Sequence, residues 1–143
     1  MKREEIKNFL PHREPMLLVD EMEIDENGIC HGKYTVRGDE FFLQGHFPGH
    51  PVVPGVILCE IMGQSSSILV MKEMEGCTPM FTGIDKTRFK GSVVPGDTVE
   101  VTAKVTAKRG PIFFIDAEAH VEGRLCVQAT LSVALVKNDN LKV

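Results

Sequence analysis

Apolar and polar residues alternate strictly along "DTVEVTAKVTAK". Val99, Val101, Ala103, Val105 and Ala107 interleave with Glu100, Thr102, Lys104, Thr106 and Lys108. A period of two predicts a strand with one face buried and the other wet. "IFFIDAEAHV" and "RLCVQATLSVALV" alternate as well, with turns at Arg109-Gly110-Pro111 and Glu122-Gly123. "MLLVDEMEI" and "GICHGKYTV" are strand-like and joined by a turn at Glu26-Asn27-Gly28. "PMFTGIDKTRFKGSV" adds a further strand, closed by the turn signal Pro95-Gly96-Asp97. The period becomes helical in two places. "REEIKNFL" puts Ile6, Phe9 and Leu10 on one stripe and stops at Pro11. After a Gly-, Pro- and aromatic-rich loop from Gly38, Pro54 and Gly55 open a long apolar helix that runs to about Met74. A helix apolar on most of its surface must be covered on most of its surface, and a curved antiparallel sheet does this economically. The pattern predicts an α+β fold.

The length of 143 residues fits one domain, 1–143, with a real core. Hydrophobic content of 43% argues against disorder, and a net charge of −4 gives no support for nucleic-acid binding. Cys30, Cys59, Cys77 and Cys126 lack Cys-x-x-Cys spacing and read as reduced thiols of a cytoplasmic protein. No signal-like stretch opens the chain. The apolar region Val56 to Met71 is interrupted by Glu60, Gln64 and three serines, which argues against a membrane span.

One stretch concentrates the chemistry. In "QGHFPGHPVVPGVILCE", His46 and His50 lie in a loop that Pro48 and Pro51 keep from being helical. They do not share a helix face as zinc-binding pairs do, so no metal is expected. Glu60 falls inside the apolar helix, with Gln64 one turn on and Ser67 and Met71 continuing the line. Such a carboxyl is either a satisfied structural acid or a working one, and the stripe alone leaves both readings open. The free N–H groups at Gly55 and Val56 carry the positive end of the helix dipole and suit an oxyanion. A base, an acid and oxyanion donors are what proton removal beside a carbonyl requires.

These residues resemble the 3-hydroxyacyl-[acyl-carrier-protein] dehydratases of bacterial type II fatty acid synthesis. Three blocks carry the resemblance: "IKNFLPHREPMLLVD", "GHFPGHPVVPGVILCEIMGQ" and "FTGIDKTRFKGSVVPGD", which together span almost the whole chain. The resemblance implies a hotdog fold, a long central helix wrapped by an antiparallel sheet. It also implies homodimers joined edge to edge, often as a trimer of dimers, with the histidine of one subunit facing the glutamate of the other. The implied reaction converts a (3R)-3-hydroxyacyl thioester to the trans-2-enoyl thioester without a cofactor. His46 would take the α-proton. Glu60, kept protonated by burial, would help the hydroxyl leave as water. Gly55 and Val56 would hold the thioester carbonyl, and Gln64 would position Glu60 or a water.

Departures from the family pattern at Met16, Ile61 and Gly63 fall near the expected acyl tunnel, for which Phe41, Phe42, Met80 and Phe81 are further candidates. Lys86, Arg88 and Lys90 recur at every second position, so a regular strand would show all three on one face. That face is either simply solvated or docks an acidic acyl carrier protein. Other readings keep the fold and change the activity: a dehydratase that also isomerises the product to cis-3, a thioesterase, or a non-catalytic acyl-carrier-binding subunit.

Overall fold

The computed structural model describes residues 1–141. Six antiparallel strands form one sheet: β1 (Glu21–Ile24), β2 (Cys30–Thr35), β3 (Cys77–Phe89), β4 (Thr98–Arg109), β5 (Ile112–Val121) and β6 (Arg124–Lys137), in the spatial order β1-β2-β4-β5-β6-β3. A short helix α1 (Arg3–Ile6) precedes them, and α2 (Gly55–Ser66) packs against β2, β4, β5 and β6. This is the α+β arrangement that the alternation predicts.

Helix α2 forms where the chain gives it no polar face to keep wet. Leu58, Cys59, Ile61, Met62 and Gln64 are all buried. By length and composition the run Gly55–Glu73 is apolar enough to cross a membrane, but the sheet wraps it as a core helix. The expected helix to Met74 changes character at Ser67, continuing as a 3₁₀ helix over Ser67–Glu73. Ser66 and Ser67 hydroxyls there donate to the carbonyls of Met62 and Gln64, both at 2.6 Å. Serine hydroxyls that compete for helix carbonyls disturb the regular ladder in this way.

β5 keeps its period along its whole length, but β4 does not. On β4, Val99, Val101 and Ala103 are buried, yet Val105 is exposed, and a register irregularity lies between Val105 and Ala107. The expectation that Val105 joins the buried face therefore fails. The reason is length: the 12 residues of α2 span about 18 Å, whereas the 12 of β4 reach about 40 Å. The sheet overhangs the helix. Cys30, Cys59 and Cys126 are buried free thiols and Cys77 is half-buried. Burial pushes the Cys30 thiol up to about 12.

The bulged edge strand also corrects the cationic row. β3 pairs only with β6, and its register shifts between Asp85 and Arg88, where Lys86 has a φ of 52°. Lys86, Arg88 and Lys90 are all exposed, but they do not share a regular strand face, and β3 ends before Lys90. Lys86 instead borders a shallow groove of about 430 Å³ with Lys104, Asp116 and Glu118, away from both His46 and Glu60.

Candidate active site

Glu60 projects from the second turn of α2 towards the segment that precedes β1. Its Oε2 accepts a hydrogen bond from Gln64 Nε2 at 2.7 Å. Gln64 is itself fully engaged: Nε2 also donates to the Met16 carbonyl at 2.8 Å, and Oε1 accepts from the Leu18 amide at 2.7 Å. One buried amide thus locks the helix to residues 16–18 and holds the carboxylate.

A third group joins them. His12 Nε2 stands 3.4 Å from Glu60 Oε2. Sequence reasoning had no role for His12, although it lies in the quoted "PHREP" phrase; nothing in its spacing links it to a residue 48 positions on. A small cavity of about 60 Å³ opens beside this group, walled by Leu10, His12, Glu60 and Gln64 on one side and by Met80 and Phe81 on the other. Met80 and Phe81, two of the tunnel candidates, thus line a cavity beside Glu60. Phe41 and Phe42 do not line this cavity: Phe41 is exposed, and Phe42 belongs to the core.

The Glu60 carboxyl departs from expectation in its ionisation. Burial pushes its pKa up, but His12 and the Gln64 donor outweigh burial and hold it below the ordinary glutamate value. In the single chain the acid is not kept neutral by burial. Two polar partners on one oxygen favour the charged form more than desolvation opposes it.

His46 occupies a separate loop that folds on itself. Its backbone carbonyl accepts from the Val52 amide at 2.8 Å, and its Nδ1 donates to the Val52 carbonyl, also at 2.8 Å. Phe47 and His50 exchange backbone bonds at 3.0 and 2.9 Å, and the Phe47 ring stacks on the imidazole at a centroid distance of 4.2 Å. A carbonyl can only accept, so Nδ1 carries a proton, and in the neutral ring Nε2 then presents its lone pair. That is the tautomer of a base.

The start of α2 lies beside this loop. The Gly55 and Val56 amides have no hydrogen-bond acceptor among the described residues. A Cβ at Gly55 would come within 2.7 Å of the exposed Phe89 ring and push it aside. Among the described residues His46 makes no hydrogen bond or ion pair with Glu60, and it does not line the Glu60 cavity. His46 and Glu60 stand in separate places on one chain. No group of three or more His, Cys, Asp or Glu is placed to hold a metal ion among the described residues.

A family model, the FabA-like domain, matches residues 10–130. A protein of Clostridium beijerinckii named 3-hydroxyacyl-[acyl-carrier-protein] dehydratase FabZ is 43% identical over 136 residues, covering 92% of this chain and 96% of the relative. The protein of the same name from Macrococcus caseolyticus is 42% identical, covering 94% of each. Among solved structures, the dehydratase heterocomplex ApeI:P of Xenorhabdus doucetiae superposes with a TM-score of 0.75 at 22% identity, over 94% of this chain and 92% of that one. The chain belongs to the FabA-like family and has the hotdog fold.

Proposed function

We propose that this chain is a 3-hydroxyacyl-[acyl-carrier-protein] dehydratase of fatty acid biosynthesis, converting the (3R)-3-hydroxyacyl thioester to the trans-2-enoyl thioester. The observation that carries the reading is the pair of complementary groups: an imidazole whose Nδ1 is committed to Val52, leaving Nε2 as base, and a carboxyl whose Oε2 is held by Gln64. His46 Nε2 removes the α-proton. The thioester oxygen, gaining negative charge, accepts from the free amides at Gly55 and Val56. Glu60 delivers a proton to the departing β-hydroxyl, directly or through a bound water, and the C–O bond breaks to release water. The proton on His46 then restores the acid, so the enzyme returns to its starting state.

The base and the acid come from different copies of the chain in this reading. β3 is an edge strand whose Met80, Phe81, Ile84 and Phe89 are all exposed. An unpaired edge of that length carrying exposed apolar side chains favours pairing with another strand. We place a second copy there, its sheet continuing this one and its His46 loop facing Glu60 and covering the cavity, with three such dimers as the larger assembly. Exclusion of water by that cover raises the Glu60 pKa towards the protonated form that the acid step uses. Acyl carrier protein brings the substrate, and the exposed Arg88 and Lys90 beside Phe89 steer its acidic surface.

The direct test is kinetic. His46→Ala and Glu60→Gln each lower kcat for dehydration by about 10²–10⁴ with unchanged circular dichroism. Wild-type turnover by either variant contradicts the mechanism.

A further inference from the structure

We propose that His12 is a positioning residue for the acid: with Gln64 it fixes Glu60 Oε2, so that Oε1 is the oxygen presented to substrate. The inference rests on the dehydratase reading and adds to it a group outside the base–acid pair.

Three observations meet here. First, both polar neighbours of the carboxyl address one oxygen, Gln64 Nε2 at 2.7 Å and His12 Nε2 at 3.4 Å from Oε2. Oε1 has no hydrogen bond among the described residues and belongs to a carboxyl that walls the cavity. Second, the His12 ring has no other employment. Its Nδ1 is buried without a hydrogen-bond partner, and Glu60 is the ring's one polar neighbour among the described residues. A histidine that serves only the fold normally satisfies its buried nitrogens, since a buried unpaired nitrogen is costly.

Third, the backbone around His12 is held by other side chains. The Arg13 guanidinium donates to the carbonyls of Lys7, Leu10 and His12 at 3.0, 2.9 and 2.7 Å. Arg3 and Lys7 both pair with Glu14, at 3.2 and 3.1 Å, and Arg3 also reaches Asp20 at 2.8 Å. The turn is therefore fixed without the imidazole, whose position is free to serve Glu60.

Electrostatics supports the geometry. Only His12 and Glu60 titrate among the residues lining the cavity; the α2 neighbours Gly63, Gln64 and Ser67 are uncharged, and the β3 and β6 walls are apolar. Arg13, the nearest charge in sequence, is turned onto backbone carbonyls. Hydrogen bonds to one carboxylate oxygen favour the charged form and fix the plane of the group, leaving the other oxygen aimed.

The test compares His12→Ala with His12→Gln, whose amide nitrogen takes the place of Nε2 as a donor. Both are assayed with a 3-hydroxyacyl-carrier-protein substrate across pH, beside wild type and Glu60→Gln. His12→Ala lowers kcat by about tenfold or more with KM little changed, because an aimed acid matters at the transition state. The limb of the kcat profile that reports Glu60 moves to higher pH, since burial is then less opposed. His12→Gln recovers most of kcat and returns the limb towards wild type. Equal loss in both variants, or a limb that stays in place in His12→Ala, overturns the assignment. Wild-type turnover by Glu60→Gln overturns the dehydratase reading itself. An inactive Glu60→Gln beside a wild-type-like His12→Ala removes His12 alone.

Discussion

Gly63 shows how much a single missing methyl arranges. Glycine inside a helix costs about 0.5–1 kcal/mol relative to alanine. Here a Cβ would stand 2.6 Å from Phe81 Cζ, so the ring lies against the helix only because the side chain is absent. Phe81 thereby becomes a wall of the cavity beside Glu60. Gly63→Ala drives the ring away, and overpacking of this kind costs about 1–3 kcal/mol. Phe81→Ala removes the obstacle. In a double-mutant cycle followed by denaturant unfolding, the pair is less destabilised than the sum of the singles; strict additivity would mean that the two do not touch. That Glu60 is unusual was legible in the sequence, since an acid within "GVILCEIMG" stands out against its neighbours. Its ionisation was not, because the group that tips the balance, His12, comes from a distant turn.

Among the elements, the loop that leads from β2 to α2 bears the most responsibility, and Glu40 anchors it. This buried carboxylate accepts from the Tyr34 hydroxyl at 2.7 Å and from the amides of Arg37 and Gly38 at 2.9 and 2.7 Å. Burial raises its pKa, but the three donors outweigh burial, and the folded value lies below the ordinary 4.5. A carboxyl whose pKa is depressed by folding stabilises fully above the unfolded value, and that contribution fades as pH falls through the folded value. Glu40→Gln costs about 1.5–3 kcal/mol near neutral pH, the scale of hydrogen bonds to a charged group. Urea unfolding from about pH 6 down to about pH 3 should show this gap closing; a gap independent of pH would mean that Glu40 is not ionised in the fold.

Alternation and the proline-glycine onset made the strands and α2 readable, because each is set by local period. The bulges at Val105 and at Lys86 were not readable: they arise where strands outrun the helix or lose a neighbour, which are properties of the assembled sheet. The cationic row fell with the second bulge.

At the scale of the whole molecule, the proposed mechanism leaves the single chain incomplete as a catalyst. His46 lies in a self-bonded loop, Glu60 walls a cavity beside the edge strand, and no hydrogen bond or ion pair joins them among the described residues. The edge strand that would bring a second copy carries four exposed apolar side chains, Met80, Phe81, Ile84 and Phe89. The expectation of a shared site comes from the family resemblance and not from spacing, because the 14 residues that separate His46 from Glu60 within one chain say nothing of a second. The most direct measurement mixes the two inactive variants, His46→Ala and Glu60→Gln, under conditions of demonstrated subunit exchange, and assays dehydration. A mixed dimer pairs an intact His46 from one chain with an intact Glu60 from the other, so one of its two sites is whole and activity returns towards a quarter of the wild-type level at equal mixing, on the order expected for random pairing. Proven exchange with no recovery would place both groups of each site on one chain and contradict the account.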